Sequence, residues 1–301
     1  MSSSPKRSLF LAFTLSFLIN IGFGNSSDGR FVYVKEIKGN HLISIKFLNE
    51  ISEEVLFSDE KTLVIVGLDN TLFQGAEALS HKDWFTATII GFTELGLSKE
   101  EAWHVVYPYW VEYQKKGSVK LIENVSKTMI SRLLEQGKTV LAYTNKAMEN
   151  RDLVKNQLDS VAVSFYPTPT AFIPEHDSST SFTEKFLDKA SLSTGLSFGV
   201  LFAANRTSSA DFQKILLFLK EQLAKRPFEK IIFLNDDSQI ATAFNQACKN
   251  LDIPSLSVTY TALRYQPKIY SPELSKIQHT FTEKLLSNDA AALLLRNNFT
   301  S

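Results

Sequence analysis

The 301 residues carry 32 Lys and Arg against 32 Asp and Glu, one cysteine and 44% apolar side chains. A net charge of zero gives no electrostatic footprint for nucleic acid, and the single thiol, Cys248, excludes a disulfide framework. The apolar fraction excludes wholesale disorder, and 23 phenylalanines imply a large aromatic core or an aromatic binding surface.

The chain opens with Lys6 and Arg7, followed by the apolar run Leu9-Phe-Leu-Ala-Phe-Thr-Leu-Ser-Phe-Leu-Ile19. That run is short for a bilayer span and is broken by Asn20. Gly22 and Gly24 place small residues at −3 and −1 of a cut between Gly24 and Asn25. The pattern predicts a signal peptide over 1–24 and an exported domain over 25–301, periplasmic or secreted. Membrane contact is expected only through an uncleaved signal segment.

Thr62-Leu-Val-Ile-Val66 is a continuous β-branched run ending in Gly67-Leu-Asp-Asn, as expected of a strand buried on both faces. Helical spacing follows over 79–93 and 98–116, with a capping box at Ser98 and Glu101. Pro108 is expected to kink or break the second helix. More than 70 residues then separate the first strand from the next, Thr139-Val-Leu-Ala-Tyr143. A crossover needs roughly a dozen, so this segment reads as an inserted helical subdomain over about 76–120. Further strands are predicted at Val161-Ala-Val-Ser-Phe165, Phe198-Gly-Val-Leu-Phe202, Lys230-Ile-Ile-Phe-Leu234 and Leu256-Ser-Val-Thr259, with helices over 126–135, 148–158, 211–223 and 239–249. The alternation predicts an α/β, doubly wound, mostly parallel sheet. Ligands in such sheets bind at the carboxyl ends of the strands, which directs attention to 67–71, 144–146 and 235–238.

Those strand ends carry the motifs. Val64-Ile-Val-Gly-Leu-Asp-Asn-Thr-Leu-Phe73, Leu141-Ala-Tyr-Thr-Asn145 and Ile231-Ile-Phe-Leu-Asn-Asp-Asp237 resemble the first, second and fourth motifs of the haloacid dehalogenase-like (HAD) phosphohydrolases. Leu79-Ser-His-Lys-Asp-Trp-Phe85, Val119-Lys-Leu-Ile-Glu123 and the 278–295 region are similar to an exported HAD-like family of unknown function from intracellular bacteria, some members of which are tyrosine phosphatases. The resemblance implies a HAD-like fold with a helical cap inserted after the first motif. It implies phosphoryl transfer from an aspartyl nucleophile that also ligates Mg²⁺. A second aspartate serves as acid/base, a Thr holds a phosphate oxygen, and a Lys neutralises the phosphoryl group.

Aligned this way, Gly67 occupies the nucleophile position and Asp69 the acid/base position. Thr144 falls on the phosphate-binding Thr, with Thr71 and Asn145 beside the ligand. Asn235 and Asp236 fall on the fourth-motif acids, so the implied metal set is Asp69, Asn235 and Asp236. Lys214 is the candidate for the lysine. Glycine supplies neither a nucleophile nor a carboxylate, and losing a nucleophile that acts in a unit costs on the order of 10⁴–10⁶ in rate. The expectation is therefore a degenerate, Mg²⁺-doubtful domain that binds a phosphorylated ligand or a protein. An active Mg²⁺-dependent phosphatase using Asp69 on a phosphotyrosine-type substrate stands as the alternative. It requires the first strand to run two residues further.

Trp103, Tyr107 and Trp110 belong to an aromatic cluster in the insert. It reads either as a ligand-selecting surface or as packing between the two helices. Glu175-His176-Asp177 reads as a solvated loop and Cys248 as core.

Overall fold

The computed structural model describes residues 37–165, 194–281 and 284–297. The predicted signal segment and the Glu175-His176-Asp177 cluster lie outside these residues.

The sheet is built around β2 (Thr62–Gly67). Its alternate side chains serve two separate cores. Val64 and Val66 face Met129, Ile130 and Leu133 of α4 (Val125–Glu135) and Val154 and Leu158 of α5 (Arg151–Ser160). Leu63 and Ile65 face α6 (Ser209–Gln222) and α7 (Ser238–Asn250). A continuous apolar run is therefore needed, since both faces of the strand are covered. The second core is rich in rings: Phe233 stacks on Phe244 at 4.0 Å, and Tyr143 and Phe212 pack edge-on or tilted beside them. Phe212, Phe218, Phe228, Phe233 and Phe244 are buried here, each contributing roughly 1.5–3 kcal/mol. Cys248 lies in the same core, and burial pushes its thiol up to about 12.

On one side of β2 lie β5 (Val140–Thr144), β7 (Val200–Phe202) and β6 (Gly195–Ser197). On the other lie β8 (Lys230–Asn235), β9 (Ser255–Tyr260) and β1 (Asn40–Ile45). All pairings in this seven-stranded sheet are parallel except β6 with β7. The chain leaves β2 toward β5 and β7, then returns across it to β8. The order thus reverses between β2 and β8, where such sheets open a crevice.

Several expectations are corrected. Val161–Phe165 is not a strand: the chain turns at Val161 and Ala162, whose φ of 51° is left-handed, and Phe165 packs against Gly199. The strand expected over 198–202 is shortened to Val200–Phe202, because Phe198 (φ 37°) and Gly199 (φ 77°) form the two-residue turn of the β6–β7 hairpin. β1, β6 and the short antiparallel ribbon of β3 (Phe73–Gly75) and β4 (Val119–Leu121) were not anticipated.

Between β3 and β4 stand α2 (Lys82–Glu94) and α3 (Lys99–Lys116), the latter started by the Ser98–Glu101 capping box. Pro108 does not break α3, which runs through it. Buried Val106, Trp110 and Val111 flank the proline and hold the helix in place by packing. The base of the helical pair is fastened by Glu77, whose carboxylate accepts from Ser118 N–H (2.9 Å), Ser118 Oγ (2.6 Å) and Ser80 Oγ (3.1 Å). α8 (Pro272–Thr280) and α9 (Asn288–Arg296) add a second fastening: Gln278 accepts from Leu79 N–H and Asn288 from Ala78 N–H.

Among the described residues, no helix is long and apolar enough to cross a membrane.

Candidate functional site

A cleft of about 100 Å³ opens at the carboxyl ends of β2, β5 and β8, under the face of α2 and α3. Its floor is made by the turn that follows β2. The carbonyl of Leu68 accepts from the N–H groups of Thr71, Leu72 and Phe73, which coils the chain into a single helical turn through left-handed Asn70. The turn lifts Asp69 to the cleft. Thr71 Oγ1 accepts from Asp236 N–H at 2.9 Å and locks the turn to the end of β8.

Asp69 is held at both oxygens. Thr144 Oγ1, at the end of β5, donates to Oδ2 at 2.8 Å, and Lys146 Nζ forms an ion pair with Oδ1. Burial alone would raise the Asp69 carboxyl. The adjacent Lys146 charge, with the hydrogen bonds from Lys146 and Thr144, outweighs burial and holds it below its ordinary value. The Lys146 side chain is 1% exposed and lies over the Trp110 ring, 5.2 Å from its centre. The β5 and β7 loops are zipped together to fix this lysine. Ala203, Asn205 and Ala204 N–H groups donate to the carbonyls of Thr144, Asn145 and Lys146. Ala204 (φ 48°) and Asn205 (φ 60°) are both left-handed, a conformation costing roughly 1–2 kcal/mol per non-glycine residue.

On the other side of the cleft, Lys82 from the start of α2 pairs with Asp236 Oδ2 at 2.7 Å. Burial, together with neighbouring Asp237 and Asp69, raises the Asp236 carboxyl despite Lys82. Lys82 is lifted in turn: burial opposes its charge, but Asp236 outweighs it. Two lysines thus face two aspartates.

The wall contributed by the insert is aromatic. Trp103 stacks on Tyr107 at 4.3 Å, and Phe85 packs on Trp110 at 4.7 Å. The rings pack between the helices and also line the cleft. Burial pushes the Tyr107 hydroxyl up to about 12, and it accepts from Asn150 Nδ2 at 3.0 Å. Trp110 Nε1 is buried without a hydrogen-bond partner among the described residues.

Asp69, Thr144, Asn145, Asn235, Asp236, Trp103, Tyr107 and Trp110 all line this cleft, while Thr71 braces its floor from behind. Lys214 does not belong here. It is exposed on α6 and does not line the cleft. Lys146 stands where a lysine was sought. The signal was available two residues after Thr144, directly past the end of a buried strand. Lys82 had no comparable mark, because a lysine at the start of a helix is ordinarily solvated.

Position 67 is closed. A Cβ there would stand 2.7 Å from Asn235 Nδ2, 2.8 Å from Thr71 Oγ1 and 3.1 Å from the Leu234 carbonyl. β2 ends at Gly67 and does not extend to Asp69. A magnesium site of the implied kind is not matched by these donors. Gly67 offers none, Asn235 Oδ1 accepts from Asp237 N–H at 2.9 Å, and each aspartate is engaged by a lysine. Among the described residues, no group of three or more His, Cys, Asp or Glu side chains gathers as a ligand set.

Residues 44–292 match the family described as "Protein of unknown function (DUF2608)". The chain belongs to the DUF2608 family. Relatives named "Putative outer membrane protein" occur in Chlamydia trachomatis serovar D (34% identical over 259 residues, 85% of this chain and 91% of the relative) and in Chlamydia muridarum (35% over 267 residues, 88% and 94%). A third, from Chlamydia pneumoniae, is 33% identical over 259 residues, covering 84% and 89%. The relatives are therefore matched across almost their whole length, site-bearing sheet included. No solved structure matches the chain.

Proposed function

We propose that this DUF2608 protein is an exported domain of HAD-like ancestry that has lost aspartyl phosphoryl transfer and binds a ligand in the cleft between its sheet and a helical cap, α2–α3. The observation that carries the reading is the closed position 67. The space a nucleophilic side chain would need is filled by Asn235 and Thr71. The HAD-like ancestry is supported by the placement of Asp69, Thr144, Asn235 and Asp236 at the ends of three adjacent parallel strands around one cleft. Export is supported by the basic and apolar opening of the sequence and by the relatives named for the outer membrane.

The chemistry of the cleft suits a phosphorylated aromatic group. Lys146 and Lys82 supply cations at the floor, and the Trp103–Tyr107 and Phe85–Trp110 pairs supply faces for a ring. A ligand phosphate would share Lys146 with Asp69 and Lys82 with Asp236.

One observation favours a second reading. Asp69 is held ionised beside Thr144 and Lys146, the surroundings an attacking carboxylate would use in an active phosphatase. One experiment separates the two: assay the exported chain with Mg²⁺ on an aryl phosphate, beside Asp69→Asn. We expect no turnover above that of the variant, together with saturable calorimetric binding of phenyl phosphate that Trp103→Ala weakens. Wild-type turnover that disappears in Asp69→Asn overturns the degenerate reading in favour of the phosphatase.

A further inference from the structure

The Lys82–Asp236 pair has a second side. Behind it lies another cleft, of about 390 Å³, between the start of α2, the turn after β2 and the segment following β9. Lys82 and Asp236 line both clefts and form the partition between them. The volume falls within the roughly 300–1,000 Å³ of small-molecule sites.

This cleft has a rigid polar wall. Gln266 Nε2 donates to the Ile122 carbonyl at 2.9 Å, and Gln74 Nε2 donates to Gln266 Oε1 at 3.1 Å. His81 Nε2 in turn donates to Gln74 Oε1 at 3.1 Å. The direction of that last bond is fixed at the other ring nitrogen, where Nδ1 accepts from Asp83 N–H as the cap of α2. Every member has its orientation set by the next, as expected of a preorganised surface.

Two features point to an occupant. Asn70 is 7% exposed, lines the cleft, and makes no side-chain hydrogen bond within the described residues. Its amide atoms stay open to the cleft, so they are free to hydrogen-bond an occupant. At the rim, Arg264 and Lys268 are exposed and have no carboxylate partner among the described residues. The charged lining comprises Lys82, Arg264 and Lys268 against Asp83 and Asp236, and Asp236 is already paired with Lys82.

We propose that this second cleft binds a small polar organic anion. A phosphate or carboxylate group would be held by Arg264 and Lys268, and a hydroxyl-bearing body by Asn70 and the glutamine wall. The proposal does not depend on what the first cleft binds or whether it turns over phosphate esters.

The test is calorimetric titration of the whole exported chain, without metal, using glucose 6-phosphate, gluconate, glucose and inorganic phosphate. Saturable binding of one or both sugar-sized anions is expected, and their ranking decides between phosphate and carboxylate. Affinity should fall about tenfold or more in Arg264→Ala/Lys268→Ala and in Asn70→Gly. The first pair is exposed, and glycine accepts the left-handed backbone of Asn70, so both variants should keep the wild-type melting temperature. Trp103→Ala, which alters only the first cleft, should leave binding unchanged. The proposal is overturned if neither sugar-sized anion binds at millimolar concentration, if glucose binds as tightly as the anions, if inorganic phosphate alone binds as tightly as glucose 6-phosphate, if the rim and Asn70 variants bind like wild type, or if Trp103→Ala abolishes the signal.

Discussion

At the residue scale, the contacts around position 67 make a strong statement about substitution. Gly67→Ala adds one methyl group to a space bounded by Asn235, Thr71 and the Leu234 carbonyl. Overpacking of this kind costs roughly 1–3 kcal/mol, which urea unfolding should read as a lower midpoint at unchanged slope. Gly67→Asp is expected to carry at least the same penalty, because its side chain begins with the same added carbon. Asp69 behaves differently. Its loss leaves Lys146, 1% exposed, as an unpaired buried cation, and Asp69→Asn should destabilise by about 3–5 kcal/mol near neutral pH. The sign with pH follows from its lowered folded-state value. The carboxylate stabilises the fold above the ordinary 3.8 and loses that contribution as pH falls through the folded value. The stability gap between wild type and Asp69→Asn should therefore narrow on acidification below about 3.8, measured by thermal melts across pH.

At the element scale, α3 shows how packing overrides a local rule. A proline inside a helix costs about 3 kcal/mol through a lost hydrogen bond and a steric clash. Here Pro108 is exposed while Val106, Trp110 and Val111 are buried on either side of it, so burial holds the helix through the defect. Pro108→Ala should raise the melting temperature, the gain in the helix exceeding the roughly 0.4–1 kcal/mol lost through a more flexible unfolded chain. Glu77 sets how firmly the α2–α3 pair is attached. Glu77→Ala removes the acceptor for Ser80 and Ser118, and hydrogen exchange in α2 and α3 should quicken while β2, β5 and β8 keep their protection. What was legible in sequence follows the same physics. The capping box of α3 was read from Ser98 and Glu101 because a cap is local. The site lysine was assigned to Lys214 because a motif gave its kind but not its place. Lys146 is selected by how the β5 and β7 loops zip together, and no short window of sequence contains both loops.

At the scale of the whole molecule, legibility tracked burial. β2, β5, β8 and β9 are covered on both faces and stand out as continuous apolar runs. β1 has only one fully buried residue, Ile45, and β3, β4 and β6 have three residues each, so their patterns do not rise above those of loops. The clefts were least legible of all. Lys82 and Asp236 are 154 positions apart, and their pairing depends on the insert standing over the point where the strand order reverses. Because that pair is the partition between the two clefts, filling either one changes the field felt in the other, and such coupling is reciprocal. Hydrogen exchange should rank the sheet in the same way, with slowest exchange in β2, β5 and β8 and faster exchange toward β1 and β6 at its edges.

The parallel pairing of β1 with β9 has a consequence in time. Asn40 lies against Ser255, 215 positions later, and β2 lies against β8 across 168. A polypeptide made from its amino end holds both early strands without these neighbours until most of it has been synthesised. Loop closure over such distances is slow, so these two pairings form late, after β2, β5 and β7 are already available to one another. Its last strand acts as the clasp: a chain that stops before residue 255 leaves β1 with nothing to close against.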